Sequence, residues 1–252
     1  MVKQRLDQLL VAKKMVATRS QAESWIRLGK VLVNGRVITK PGYFTASDAE
    51  IELKAEHQYV SRAGLKLASV AQLVGLDFDG KIVLDVGSST GGFTDYALRH
   101  GAKKVIAIDV GTQQLHPTLR DNPRVELHEQ TDIRHVLPAG EGQTANVQLS
   151  EIPAIVLIDV SFISLREILP HLTTLVNGQT QVVAMFKPQF EAGDNTKHKG
   201  VIKNDTMRRR ILKDFEQWIK HYFMVIDKAD SEVAGARGNR ERFYVLRKAM
   251  KI

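Results

Sequence analysis

The sequence predicts an α/β fold: a doubly wound, mostly parallel sheet with helices on both faces, preceded by a small α+β domain. Three observations predict it. From residue 81 onward, near-continuous apolar runs alternate with helical patterns, as in a parallel sheet buried on both faces. The first of these runs, Lys81-Ile-Val-Leu-Asp-Val-Gly-Ser-Ser-Thr-Gly-Gly-Phe-Thr94, ends in an acid and opens into glycines. Charge is also uneven: residues 1–45 hold nine Lys/Arg against Asp7 and Glu23, a local +7 of the formal +8 carried by all 252 residues. A chain of this length accommodates one large domain and one small one.

The N-terminal elements come first. Arg5 to Lys13 carries Leu6, Leu9 and Leu10 at helical spacing. Ser20-Gln-Ala-Glu23 makes a capping box that starts a second helix, which Gly29 ends. Val31 to Ile38 reads as two short strands joined by an Asn34-Gly35 turn. Asp48 to Glu56 is acidic and closes this module, so the domains are set at 1–56 and 61–252 with His57-Gln-Tyr-Val60 as linker.

Ser61 to Gly75 has Leu65, Leu67, Val70, Ala71 and Val74 on one face and reads as a helix. Ile82, Val83, Leu84 and Val86 form the first sheet strand. A helix (Thr94 to His100), a strand (Lys104 to Asp109), a helix near Thr112 to Arg120 and a strand (Arg124 to His128) follow. Pro138 to Ser150 is polar and reads as a mobile loop. Ala154 to Val160 and Thr180 to Phe186 are the fourth and fifth strands. Glu191 to Lys203, basic and glycine-containing, reads as a lid or RNA-contacting loop. Asp205 to Lys220 is a helix, and Phe223 to Ile226 and Arg242 to Leu246 are the last two strands.

Ligands in doubly wound sheets bind outside the carboxyl ends of the strands. Asp85, Asp109, Asp159 and Lys187 all fall at such ends, so distant positions converge on one crevice. Each acid alone also serves as a helix cap or strand terminator. Gly87, Gly91 and Gly92 allow a sharp turn and close approach to a nucleotide-like ligand. The spacing G-x-x-x-G-G is neither the G-x-G-x-x-G of a dinucleotide site nor a phosphate loop, which favours S-adenosylmethionine over NAD or ATP.

Two resemblances rest on these residues. Arg5-Leu-Asp-x-x-Leu, then Thr18-Arg-Ser-x-Ala-x-x-x-Ile-x-x-Gly-x-Val-x-Val-Asn-Gly-x-x-x-x-Lys-Pro41, resembles the S-four-type RNA-binding domain. By that resemblance Arg5, Arg19, Arg27 and Lys30 face structured RNA, in keeping with the affinity that clustered cations gain by displacing phosphate counterions. The second is carried by Ser61-Arg-x-Gly-x-Lys66-Leu, Asp85 to Thr94, Asp109-Val-Gly, Ile158-Asp-Val-Ser-Phe-Ile-Ser-Leu165, Lys187-Pro-Gln-Phe-Glu191 and Gly238-Asn-x-Glu241. Together they resemble the TlyA (haemolysin-A-like) family, an S-four-type domain fused to an FtsJ-like methyltransferase. The family implies a seven-stranded class I methyltransferase (Rossmann-like) sheet, S-adenosyl-L-methionine as cofactor, and methyl transfer to a ribose 2′-hydroxyl, of cytidine in ribosomal RNA. It also implies a catalytic set falling on Lys66, Asp159, Lys187 and Glu241. For the cofactor it implies Asp85, Gly87, Ser88, Gly91, Gly92 and Phe93 around the methionine end, Asp109 on the ribose and Asp132 on the adenine amine, although Asp132 also makes a good helix N-cap before Ile133. The chain departs from the family in reading Ser231-Glu-Val-Ala234 before Gly235, where a proline is expected.

The chemistry is consistent with that assignment. A ribose hydroxyl is a poor nucleophile, so the protein supplies in-line positioning and help with one proton. A lysine becomes a base near neutrality only when burial and a neighbouring cation depress its pKa from about 10.4; a lysine that stays protonated instead stabilises the developing alkoxide. Both roles stay open for Lys187. Composition narrows the alternatives. Zero cysteines exclude disulfides and thiolate metal sites and suit a reducing compartment. No metal partner is expected. No signal-peptide core and no run of about 18 apolar residues are found, which points to a cytoplasmic protein and against a membrane-active haemolysin. A non-catalytic ribosome-assembly RNA-binding protein is the competing class; the intact glycine turn and the four polar strand ends argue against it.

Overall fold

A computed structural model describes residues 3–16, 19–27, 29–54, 59–140, 147–193, 200–202, 204–233, 235 and 238–249. The N-terminal part contains β1 (Lys3–Arg5), α1 (Leu6–Ala12), α2 (Arg19–Arg27), β2 (Val31–Val33), β3 (Arg36–Ile38), β4 (Phe44–Ala46) and β5 (Ile51–Leu53). β2 is flanked by β3 and β5 in an antiparallel sheet, and β1 pairs with β4. Asn34 and Gly35 both have positive φ, 49° and 74°, as the hairpin turn between β2 and β3 requires. α2 begins at Arg19, one residue before the expected cap Ser20, whose side chain lies outside the described residues.

The large sheet is built from β6 (Ile82–Val86), β7 (Lys104–Ile108), β8 (Val125–His128), β9 (Ile155–Ile158), β10 (Gln181–Phe186), β11 (Phe223–Asp230) and β12 (Arg242–Lys248). Its spatial order is β11-β12-β10-β9-β6-β7-β8. All neighbours pair in parallel except β12, which runs antiparallel to both β10 and β11. Strand side chains alternate between two cores, which is why the runs are apolar throughout. Val83, Val105, Leu157, Val183 and Phe243 face one core with α3 (Arg62–Ala71) and α4 (Gly92–Arg99). Leu84, Ile106, Val156, Val182 and Tyr244 face the other with α6 (Leu165–Leu175) and α8 (Asp205–Trp218). The first core continues into Leu6, Leu10, Trp25 and Ile26 of the N-terminal domain.

Of the expected linker, Tyr59 is buried with its ring 5.3 Å from that of Tyr96, and the Val60 N–H donates to Asp95 Oδ2 at 2.9 Å. Both are therefore seated on α4. Residues 57–58 lie outside the described residues.

Several elements differ from expectation. α5 covers only Pro117–Arg120, because Pro117 starts a helix it cannot sit within and His116 caps it. α6 is a helix that the sequence pattern did not reveal: Pro170 sits inside it and removes one backbone bond, yet Leu165, Ile168, Leu169, Leu172 and Leu175 bury a complete face. The last strands run longer than expected, with β11 reaching Asp230 through a register shift between Val225 and Asp227. The two candidate loops are partly outside the description, at 141–146 and at 194–199 with 203. The base of the first is pinned, since the Leu137 N–H donates to the Val147 carbonyl and Leu149 is buried.

Candidate active site

The carboxyl ends of β6, β7 and β9 open onto a crevice of about 550 Å³. Gly87, Asp109, Asp132 and Asp159 line it, with apolar walls from Ile108, Val110, Ile133 and Ile163. That size and lining suit a nucleoside-sized ligand. Gly87 is required twice over: its φ is +80°, and a Cβ would lie 2.9 Å from the Asp159 carbonyl oxygen of the neighbouring strand end. The Asp109 carboxylate accepts from the Ser89 N–H at 2.8 Å and the Gly111 N–H at 2.7 Å, which fixes it at the crevice rim.

Asp85, Ser88, Gly91, Gly92 and Phe93 lie behind this surface. Asp85 is fully buried, its Oδ2 accepting from Thr94 Oγ1 at 2.6 Å, while its Oδ1 has no partner among the described residues. Burial pushes its carboxyl up to about 7, reinforced by the charges of Asp159 and Asp109 and opposed by the Thr94 hydrogen bond. Ser88 is buried with its hydroxyl likewise unpartnered. Gly92 meets Gly64 where α4 crosses α3: a Cβ on Gly92 would come within 2.7 Å of the Gly64 nitrogen. Phe93 is a core residue, its ring 6.0 Å from Phe243. Asp132 reaches the crevice, but its carboxylate is already engaged: it caps the turn at Ile133 and binds the Arg134 guanidinium at 2.6 Å. That pairing holds its carboxyl below the usual range.

Beside the crevice lie two buried ion pairs. Lys187, at the end of β10, sits 2.6 Å from Asp159 Oδ1, and Lys66 of α3 sits 2.6 Å from Glu241 Oε2. Side-chain exposures of 9% and 15% in the first pair, and of 12% and 4% in the second, take all four groups largely out of water. The strands explain their convergence. Ala184 is in register with Ile158 and Phe186 with Arg242, so Lys187 emerges next to Asp159 on one side and Glu241 on the other. The close α3–α4 packing at Gly64 and Gly92 brings Lys66 up from below. Gly235 leaves room for the Glu241 carboxylate, since a Cβ there would lie 2.7 Å from Oε1. Glu241 is thus placed although the expected proline before Gly235 is missing. Buried ion pairs rarely repay their desolvation as stabilisers, which makes these two, next to a crevice, candidates for a part other than stability.

Several residues of this site were missed in the sequence. Ser161 accepts a hydrogen bond from Lys187 Nζ at 2.7 Å. Phe162 projects at the crevice mouth, 91% exposed, with a φ of +66° that side chains rarely adopt. Arg134 was not linked to Asp132. The Asp-x-Ser-Phe run after β9 was the available signal.

The nominated RNA-facing residues divide. Asp7 is fully buried and clamped by Arg5, through Nε at 3.0 Å and a second nitrogen at 2.8 Å, and by Arg19 Nε at 2.9 Å. Arg5 and Arg19 therefore hold the N-terminal fold as well as presenting charge. Arg27 and Lys30 are exposed at the end of α2 and beyond it.

The FtsJ-like methyltransferase family matches residues 59–249, and the S4 domain family matches residues 4–51. The chain is 38% identical over 240 residues to Hemolysin A of Brachyspira hyodysenteriae, covering 94% of this chain and 97% of that protein. It is 34% identical to the 23S rRNA (cytidine-2′-O)-methyltransferase TlyA of Campylobacter jejuni, covering 93% and 96% respectively. A solved structure of a provisionally named haemolysin of Streptococcus thermophilus superposes with a TM-score of 0.71 at 37% identity, over 99% of this chain and 90% of that one.

Proposed function

Because this chain belongs to the FtsJ-like methyltransferases, in the TlyA group that joins them to an S4 domain, we propose that it is an S-adenosylmethionine-dependent rRNA methyltransferase acting on a ribose 2′-hydroxyl, of cytidine. The observation that carries this reading is the pair of buried lysine–carboxylate contacts beside a nucleoside-sized crevice. Its place of action is the cytoplasm, on ribosomal RNA or ribosomal subunits.

The residues present fit the cofactor. Among the described residues Asp85 Oδ1 and Ser88 Oγ are buried polar atoms lacking hydrogen-bond partners, which a methionine ammonium would supply. Asp109 would hold the ribose hydroxyls, and Ile133 and Val110 would flank the adenine. With its carboxylate bound to Arg134, Asp132 would contribute mainly by shaping this wall. When bound, S-adenosylmethionine supplies an electrophilic methyl group. The chain's own residues do the rest. Lys187 and Lys66, each neutralised by a carboxylate, would place two N–H donors around the 2′-oxygen and stabilise the charge that develops there. With Lys187 held as an ammonium, the hydroxyl proton would leave to solvent beside it. Phe162 offers an exposed ring on which a nucleobase can stack. Arg27 and Lys30 would add phosphate contacts.

Nucleoside mass spectrometry tests this. Ribosomal RNA or subunits incubated with the protein and S-adenosylmethionine should yield 2′-O-methylcytidine. A base-methylated nucleoside, or no product from either substrate with the cofactor bound, would refute it.

A further inference from the structure

Lys187 is held more tightly than an ion pair alone would hold it. A lysine ammonium has three N–H donors. One is donated to Ser161 Oγ at 2.7 Å, while Asp159 Oδ1 lies 2.6 Å away as an ion-pair contact without hydrogen-bond geometry. A single carboxylate leaves an ammonium free to swing on its flexible stem. The hydrogen bond to Ser161 is directional, so with Asp159 balancing the charge it is Ser161 that limits how the ammonium turns. Rates of positioned reactions depend on such direction, an error of about 1 Å costing on the order of a hundredfold.

The Ser161 hydroxyl is itself held in place. Ser161 lies on the loop between β9 and α6, exposed along the crevice. Glu191, at the end of the short helix α7 (Pro188–Glu191) that follows Lys187, closes that loop from the other side. Its Oε2 accepts from Ser164 Oγ at 2.5 Å and its Oε1 from the Leu165 N–H at 2.7 Å. Ser164 in turn caps α6, accepting from the Arg166 N–H at 3.0 Å. The segment carrying Lys187 and the segment carrying Ser161 are thus tied together at both ends, by Asp159 and by Glu191. Phe162 and Phe190 pack across the same junction at 5.2 Å.

We propose that Ser161 is a positioning residue for methyl transfer, orienting the Lys187 ammonium toward the reacting hydroxyl from a loop that Glu191 holds in place. The inference rests on the reading of Lys187 as part of the transfer site.

The test is a double-mutant cycle on the full chain, with rRNA and S-adenosylmethionine as substrates. Because Ser161 is exposed, Ser161→Ala should keep its melting temperature. Its kcat should fall about ten- to a hundredfold, with the KM for RNA and the cofactor Kd unchanged. Ser161→Thr, which keeps the oxygen acceptor, should recover most of the rate. In a Lys187→Ala background, Ser161→Ala should cost almost nothing further, since it acts through the missing amine. A wild-type rate for Ser161→Ala alongside a crippled Lys187→Ala would overturn the positioning role and leave the site intact. An equal loss in both backgrounds would also overturn it. A wild-type rate for Lys187→Ala would overturn the site itself.

Discussion

Replacing Asp85 by asparagine should stabilise the ligand-free protein above neutral pH and weaken cofactor binding there. Asp85 is wholly buried, with one carboxylate oxygen bound to Thr94 and the other unpartnered. A carboxyl raised from 3.8 to about 7 penalises its ionised form by roughly 4 kcal/mol. The sign follows from linkage: the folded state binds this proton more tightly than the unfolded one, so the penalty is absent below 3.8. It grows through the interval and is complete above about 7. Asparagine removes the pH dependence and introduces one unpaired amide group, which costs about 1–3 kcal/mol. The net gain is therefore about 1–3 kcal/mol at alkaline pH, with a loss of similar size in acid. Chemical denaturation of both proteins from about pH 4 to pH 8, without cofactor, measures the difference. A second arm uses S-adenosylhomocysteine, whose ammonium would neutralise the ionised acid: its affinity for wild type should rise through about pH 7, and that rise should vanish in the variant. Parallel stability curves, or undiminished affinity in the variant, would refute the reasoning.

Other perturbations separate packing from function. Gly91→Val should lower the melting temperature before it selectively blocks the crevice, because a Cβ there would lie 2.4 Å from Leu119 Cδ1 at a φ of +92°; calorimetry reads this. Asp7→Ala should destabilise the N-terminal domain by about 1–2 kcal/mol in chemical denaturation, since Arg5 and Arg19 lose the carboxylate they share but stay solvated themselves. Arg27→Glu with Lys30→Glu should weaken rRNA binding and flatten its salt dependence while leaving cofactor affinity unchanged, as titrations at several salt concentrations would show.

The sheet was legible because its strands are apolar on both faces and stop at polar residues. The same feature pointed to the candidate site: Asp109, Asp159 and Lys187 follow their strands at the crevice or beside it. Glu241 and Lys66 carried no such mark. One follows a loop and the other looks like any lysine on an amphipathic helix, so only the family resemblance nominated them. Hidden features have identifiable causes. Pro170 masked α6 by breaking the expected pattern of helix formers. Gly91 and Gly92 read as ligand-facing because a glycine signals close approach without saying to what; here the neighbours are Leu115 and Leu119 for one and Ser61 and Gly64 for the other. Arg5 and Arg19 read as surface charge because burial of Asp7 is a tertiary property. Ser161 went unnoticed because a hydroxyl gains meaning only from its 2.7 Å contact with Lys187.

The most direct measurement is single-turnover methyl transfer to rRNA by Lys187→Ala and Lys187→Arg, with cofactor and RNA affinities determined in parallel. Lys187→Ala removes the amine but leaves the strand end and Pro188 in place. Transfer should fall by about a hundredfold or more with both affinities nearly unchanged, the scale for proton-transfer and electrostatic groups. Arginine should not rescue it, because its planar fork cannot occupy a point-charge site between Asp159 and Ser161. Full rescue by arginine would assign Lys187 a purely electrostatic part, and near-normal transfer by Lys187→Ala would contradict the account.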